Sequence, residues 1–145
     1  MINLHDRQSV RGTLKYTVYK NGVPIEHCED HNLVVDTGRH RLAQLSAGDS
    51  TKGVAKFGVG TGTDAEQPGD TYLKNQYTND IVNHTVDGAD AIFEWCLDET
   101  EFNGYGISEF GLFDRDGVML THQVRGAAIG KLNDIRIQGS YTLHF

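Results

Sequence analysis

The sequence predicts an all-β fold with one short helix, arranged as an antiparallel β-sandwich or a partly open barrel. Apolar residues recur at every second position through most of the chain, which is the period of a strand and not of a helix. The chain also contains 17 glycines but only 2 prolines, a composition typical of an ordered protein with many turns and bulges. Its 145 residues correspond to one domain, so we expect a single β-rich domain over residues 1–145.

The clearest strand covers residues 134–145, where every even position is polar. Large apolar side chains occupy five of its six odd positions: Ile135, Ile137, Tyr141, Leu143 and Phe145. This alternation predicts a half-buried antiparallel strand with one face in contact with water.

The remaining strands follow from the same alternation and from the turn residues between them. Asn21-Gly22 is a strong two-residue hairpin signal, and Pro24 just after it predicts an edge position or a strand start. The Asp-Arg-Asp-Gly sequence of residues 114–117 predicts a second hairpin turn. In chain order, the predicted strands cover residues 12–20, 23–28, 55–59, 78–86, 89–98, 106–113, 118–124 and 134–145.

One helix is predicted over residues 38–47, with Asp36 or Thr37 as its N-cap. Leu42 and Leu45 lie three residues apart and give this helix a short apolar face. Since a helix this short is marginally stable by itself, we expect packing against the rest of the domain to hold it.

The net charge argues against a nucleic-acid partner, and the hydropathy argues against a membrane partner. Thirteen basic residues stand against 20 acidic ones, a net charge of −7 with neutral histidine, so we expect no nucleic-acid partner. The mean hydropathy is −0.44, and no segment approaches the roughly 20 apolar residues that span a membrane. We therefore expect no membrane partner, and the first ten residues contain no apolar segment typical of a secretory signal.

The glycines at positions 58, 60 and 62 invite comparison with a nucleotide-binding loop. They lack the G-x-G-x-x-G spacing and the following helix that a dinucleotide fingerprint requires, so we expect no nucleotide and no other cofactor. They predict instead a strand end at which the backbone packs closely. Residues 60–75 then predict a long loop, with one helical turn near Thr71.

Three residues in a short segment, His27, Cys28 and His31, are the densest set of possible metal ligands. A strand would place His27 and Cys28 on opposite faces, and no second cluster completes a tetrahedral site, so no metal site is predicted. We interpret the segment as a polar edge strand and loop. Two cysteines do not make a disulfide framework, and a bond between Cys28 and Cys96, or between subunits, stays open.

The sequence contains no pattern that indicates catalysis. The G-x-S-x-G nucleophile motif is absent. Carboxylates are frequent between Glu94 and Glu109, but a glycosidase needs two of them across a cleft, and a solvated acidic face is the commoner arrangement. We therefore expect no catalytic residues and no enzymatic activity.

Three segments together resemble a known family. They cover residues 32–48, 56–73 and 93–145. The most specific piece lies within residues 59–73 and reads V-G-T-G-T followed by P-G-D-T-Y-L. The third segment contains E-F-G-L-F-D-R-D-G at residues 109–117. In this order they resemble small tail proteins of bacteriophages and phage-like particles, described as tail-fibre, tail-collar or baseplate-associated proteins.

The resemblance implies a virion structural protein of the tail, baseplate or neck, assembled in the host cytoplasm. It would act as a fibre, a fibre-attachment adaptor or a decoration through contacts with other virion proteins, in a homo-oligomer for which a trimer is favoured. Long ordered loops are usually functional. The assembly contact is therefore expected to involve Gly58, Gly60, Gly62, Asp70, Thr71, Tyr72 and Leu73.

The alternative hypothesis is a carbohydrate-binding adhesion module that recognises the host cell surface. Tyr72, Tyr77 and Tyr105 lie in loop-like stretches of the sequence. Exposed aromatic rings at such positions would stack on sugar rings or anchor a partner protein.

Overall fold

The computed structural model describes residues 10–145, so the first nine residues of the predicted domain lie outside the described part. The described chain is an antiparallel β fold with one short helix, which confirms the predicted fold class. Its elements are β1 (Arg11–Lys20), β2 (Val23–Val34), α1 (Asp36–Ser46), β3 (Val54–Gly60), β4 (Tyr77–Asp80), β5 (Asn83–Asp87), β6 (Asp90–Leu97), β7 (Tyr105–Asp114), β8 (Met119–Lys131) and β9 (Ile135–His144).

The nine strands form one curled sheet that resembles half of a barrel. Their order across the sheet is β4-β3-β7-β8-β2-β1-β9-β6-β5, and neighbouring strands pair antiparallel. Strands β4 and β5 therefore lie at the two edges. Within residues 10–145, no helix is long and apolar enough to cross a membrane.

An aromatic cluster fills the main core. The ring of Trp95 lies 5.1 Å from that of Phe57 and 5.9 Å from those of Phe110 and Tyr141, and the Tyr16 ring lies 4.7 Å from Phe110. All five side chains are buried and come from different strands. Tyr16, Trp95 and Tyr141 belong to alternating apolar sets, so in their strands the period-two pattern identified the face that forms the core.

The single strand predicted over residues 78–86 is wrong, because the chain forms β4 and β5 there and these lie at opposite edges of the sheet. The Ile81 amide donates to the Ala55 carbonyl beside β4, whereas the next amide, of Val82, donates to the Glu94 carbonyl of β6. The chain thus crosses from one edge to the other between consecutive residues. The two edges come close together at this point, which explains the curl of the sheet.

The helix begins earlier than predicted and has a different cap. Val35 occupies the N-cap position with extended backbone and no side-chain hydrogen bond, so the predicted cap at Asp36 or Thr37 is wrong. The Thr37 hydroxyl donates instead to the carbonyl of Met119, at 2.7 Å. This bond fastens the first turn of α1 to β8, in line with the expectation that packing holds the helix.

The two cysteines are free thiols that lie on separate strands. Strands β1 and β9 lie between the strands of the two cysteines. Cys28 of β2 pairs with Tyr16 of β1, and Tyr16 pairs with Gly139 of β9. Gly139 pairs with Trp95 of β6, which is the neighbour of Cys96. Three strand spacings of about 4.8 Å give roughly 14 Å, about twice the Cα separation that a disulfide spans. The folded chain therefore cannot form an internal Cys28–Cys96 bond.

Candidate functional site

The long connection between β3 and β4, residues 61–76, packs on the side of the sheet opposite the aromatic core; we call it the β3–β4 loop. Phe113 and Leu73 belong to a small second cluster there, apart from the main core. The two ends of the β3–β4 loop are joined, since the Thr61 amide donates a hydrogen bond to the Lys74 carbonyl at 2.9 Å. The described backbone contains no helix within the loop, so the helical turn predicted near Thr71 is wrong.

Glycines allow this loop to lie directly on the sheet. A Cβ at Gly58 would lie 2.5 Å from the ring of Phe113, and one at Gly60 would lie 2.7 Å from both Lys74 O and Glu109 Oε2. A Cβ at Gly62 would lie 2.4 Å from the same carboxylate oxygen. These contacts confirm the prediction of close backbone packing and explain why no larger residue fits at the three positions.

Glu109 of β7 is the centre of the site. It is 3% exposed, and its carboxylate accepts hydrogen bonds from the Gly62 amide at 2.6 Å and the Lys74 amide at 2.8 Å. His122 Nε2 of β8 lies 2.7 Å from its second oxygen. Both ends of the β3–β4 loop are therefore held by one buried carboxylate, which corrects the interpretation of the acidic stretch up to Glu109 as a wholly solvated face.

The chain of contacts continues from His122 into the loop itself. His122 Nδ1 lies 2.7 Å from Asp70 Oδ2, and the same oxygen accepts from the Gln67 amide at 2.8 Å. The Ser108 hydroxyl adds a bond to the Gly62 carbonyl at 2.6 Å. We call the three ionisable residues the Glu109–His122–Asp70 cluster.

The pKa values in the cluster favour its fully charged form. Burial by itself would lower the pKa of His122, but the hydrogen bonds and charges of Glu109 and Asp70 outweigh this effect and raise the pKa. Burial would raise the pKa values of Glu109 and Asp70, but hydrogen bonds from His122 and from backbone amides outweigh it and lower both. An imidazolium between two carboxylates is the arrangement that these opposite shifts describe.

The contribution of the cluster to the free energy of unfolding is expected to be largest between pH 4.5 and 6.5. Folding raises the pKa of His122, so its contribution is full below 6.5 and is lost as the pH rises through the higher folded-state pKa. Folding lowers the pKa values of Glu109 and Asp70, so their contribution is full above 4.5 and is lost as the pH falls through the folded-state values.

Urea unfolding of the wild type and of His122→Asn, from about pH 4 to about pH 9, checks this dependence. The difference in unfolding free energy between the two proteins is expected to shrink towards both ends of the range. A difference that does not change with pH would contradict a charged cluster.

The contacts of the cluster hold the loop against the sheet. Both ring nitrogens of His122 are engaged by carboxylates. The nearby Ser108 hydroxyl donates to a backbone carbonyl. In the part of the chain that the structure describes, no group of three or more His, Cys, Asp and Glu side chains is arranged to hold a metal ion. His27, one of the possible ligands in the sequence, has its Nδ1 atom 2.8 Å from the Thr17 hydroxyl.

Comparisons with known proteins give no match to this chain: no protein-family model, no curated protein and no solved structure matches it.

The predicted contact residues separate into two sets. Thr71 and Tyr72 are exposed, Tyr72 at 73%, and Asp70 is half-buried where it meets His122. The others seat the loop on the sheet: Gly58, Gly60 and Leu73 are buried within the chain, and Gly62 is half-buried against Glu109. Of the predicted contact residues, Thr71 and Tyr72 are therefore the two that are exposed to a partner, and we call this pair the tip of the loop.

Sequence reasoning did not identify Glu109 and His122 as site residues. A usable signal lies in β7, where apolar residues fall on both strand faces around Glu109, at Ile107, Phe110 and Phe113. Such a strand is covered on both sides, and a carboxylate within it must be paired. The partners of this carboxylate could not have been named from the pattern, since His122 lies on another strand and Asp70 is 52 positions from His122.

Proposed function

We propose that this chain is a virion structural protein of the tail, baseplate or neck of a bacteriophage or phage-like particle. It acts as a fibre, a fibre-attachment adaptor or a decoration, through protein–protein contacts in a symmetric assembly. The resemblance of residues 59–73 and 109–117 to small phage tail proteins supports this proposal. In the structure these two segments meet, because Glu109 in the second holds the loop formed by the first.

The observation that carries the proposal is the fixed β3–β4 loop with an exposed tip. The Glu109–His122–Asp70 cluster, together with the close packing at Gly58, Gly60 and Gly62, holds the loop in one conformation before any partner arrives. A preorganised loop loses little conformational entropy on binding. Tyr72 at its tip is 73% exposed and has the size and amphipathic character of residues that dominate protein interfaces.

We propose further that several copies assemble around a symmetry axis, with a trimer favoured. In the described part of the chain, the outer sides of β4 and β5 have no strand neighbour. All five residues of β5 are exposed, including Val86 at 78%. Open edges of this kind are surfaces on which strands of neighbouring subunits can pair.

Tyr72→Ala is expected to reduce incorporation of the chain into purified particles about tenfold, because truncating an interface anchor costs more than 1 kcal/mol. The fold should be unchanged, since this side chain is exposed. Tyr105→Ala is the matched control: Tyr105 is 47% exposed and stacks on Phe102 at 4.5 Å, outside the β3–β4 loop. Quantitative mass spectrometry of particles checks both, and normal incorporation of Tyr72→Ala would contradict the role of the tip.

One observation favours the second candidate, a carbohydrate-binding adhesion module. Tyr72 stands beside an open hollow of about 520 Å³ whose walls include Asp64 and Asp70, and an aromatic ring next to carboxylates suits a sugar. The other two tyrosines are engaged, since the Tyr77 hydroxyl donates to Glu101 at 2.7 Å and Tyr105 stacks on Phe102. A glycan array separates the two candidates. The carbohydrate-binding module would be favoured if the chain binds a glycan, if Tyr72→Ala abolishes that binding, and if the chain is absent from purified particles.

A further inference from the structure

Strand β2 has an edge that is unpaired for most of its length. On one side it pairs with β1 from Val23 to Asn32, but on the other side only Leu33 and Val34 pair with β8. Within residues 10–145, positions 23–31 thus have no strand neighbour on this edge. Val23 and Ile25 on this edge are 60% and 58% exposed, and an unpaired, exposed strand edge is a site for strand addition.

The opposite wall of this opening is a bulge in β8. Ile107 of β7 pairs with Ile129, whereas Glu109 pairs with Val124, so residues 125–128 bulge out of the ladder. A hollow of about 410 Å³ lies between this bulge and β2, lined by Cys28, Asp30 and Gln123 among others. We call it the β2–β8 cleft.

Two side-chain links cross the cleft where the main chains have separated. Gln123 Nε2 donates to Asp30 Oδ2 at 3.1 Å, and the Arg125 guanidinium contacts Glu26 at 2.9 Å. Gln123 is 2% exposed, yet its Oε1 is buried with no partner among the described residues.

The charge of the cleft is predominantly negative on the β2 side. Glu29 and Asp30 supply two carboxylates to its lining, and the positive charge of Arg125 is already paired with Glu26. Lys15 reaches Glu29 only at 3.8 Å, with both side chains more than half exposed, a pair that contributes little. An incoming segment with basic side chains therefore matches the cleft.

We propose that the β2–β8 cleft receives an extended, lysine- or arginine-bearing segment of another protein, which adds as a strand to the edge of β2. Main-chain bonds to residues 23–31 would supply the affinity, and the carboxylates of the cleft would select basic side chains. The inference rests on the proposed function for the source of the strand, a neighbouring virion protein. No residue of the β3–β4 loop lines the cleft, so the chain would have two docking surfaces.

The test uses a fluorescein-labelled peptide of about ten residues in which lysine alternates with valine and threonine. Anisotropy is expected to show that the lysine peptide binds about tenfold more tightly than two control peptides. One control has glutamate in place of each lysine, and the other has methylated backbone amides. Hydrogen–deuterium exchange on the complex should show new protection in residues 23–31 and none in β4 or β5.

A charge reversal locates the site. Glu29→Lys is expected to weaken binding of the lysine peptide about tenfold. Glu94→Lys, the same change at an exposed strand position on β6, should leave it unchanged. Equal binding of all three peptides, no binding up to about 1 mM, or protection only at β4 or β5 would overturn the proposal. Absence of the chain from purified particles would overturn the proposed function and leave the peptide result standing.

Discussion

Glu109→Ala is expected to lower the free energy of unfolding by about 3–5 kcal/mol, the usual effect of removing one partner from a buried ionic pair. The change leaves the amides of Gly62 and Lys74 without their acceptor and removes a counter-charge from His122. Both ends of the β3–β4 loop are then released. Urea unfolding near pH 6, followed by the fluorescence of the single tryptophan, Trp95, measures the effect.

The control for this prediction is Glu94→Ala, which removes an exposed carboxylate and should change the unfolding free energy by less than about 0.5 kcal/mol. Glu109→Gln keeps one acceptor oxygen and should lie between the two. Hydrogen–deuterium exchange should show faster exchange of the Gly62 and Lys74 amides in Glu109→Ala. Stability within about 1 kcal/mol of the wild type would show that the cluster does not hold the loop.

Gly139→Ala is expected to cost about 3 kcal/mol or more, because it forces a side chain into a place where two strands are in contact. An ideal Cβ at Gly139 would lie 1.8 Å from the Lys15 carbonyl oxygen and 2.7 Å from Tyr16 Cα. Both atoms are backbone, so no side-chain rotation relieves the clash. The β1–β9 pairing and the aromatic core beside Tyr16 would have to shift together.

Gly130→Ala is the matched control, since Gly130 also lies within a strand but a Cβ there meets nothing within 4 Å. Its unfolding free energy should equal or slightly exceed that of the wild type, because alanine is less flexible in the unfolded chain. Thermal and urea unfolding of the two variants compare them directly. Equal stability of Gly139→Ala and Gly130→Ala would mean that β1 and β9 pack less closely than the structure shows.

The fold could be predicted from the sequence wherever an element depended on its own residues. Alternation over residues 134–145 and the Asn21-Gly22 turn each describe a local preference, and both elements form as expected. The prediction of one strand over residues 78–86 was wrong because the chain changes strand partners between Ile81 and Val82. Which partner a strand chooses depends on distant residues, and alternation contains no information about it.

The site could be predicted only in part, for the same physical reason. The glycine spacing at positions 58, 60 and 62 predicted close backbone packing, because a missing Cβ is a property of each residue. The Glu109–His122–Asp70 cluster joins two strands and a loop that are far apart in the chain. Each of these residues is polar and unremarkable where it stands in the sequence, and only the fold brings them into contact.

Mass spectrometry and cryo-electron microscopy of purified particles from the producing bacterium test the central proposal most directly. We expect the chain to be present in several symmetric copies at the tail, baseplate or neck, with Tyr72 at the tip of the β3–β4 loop against a neighbouring protein. A chain that is expressed during particle production but absent from intact particles would contradict it.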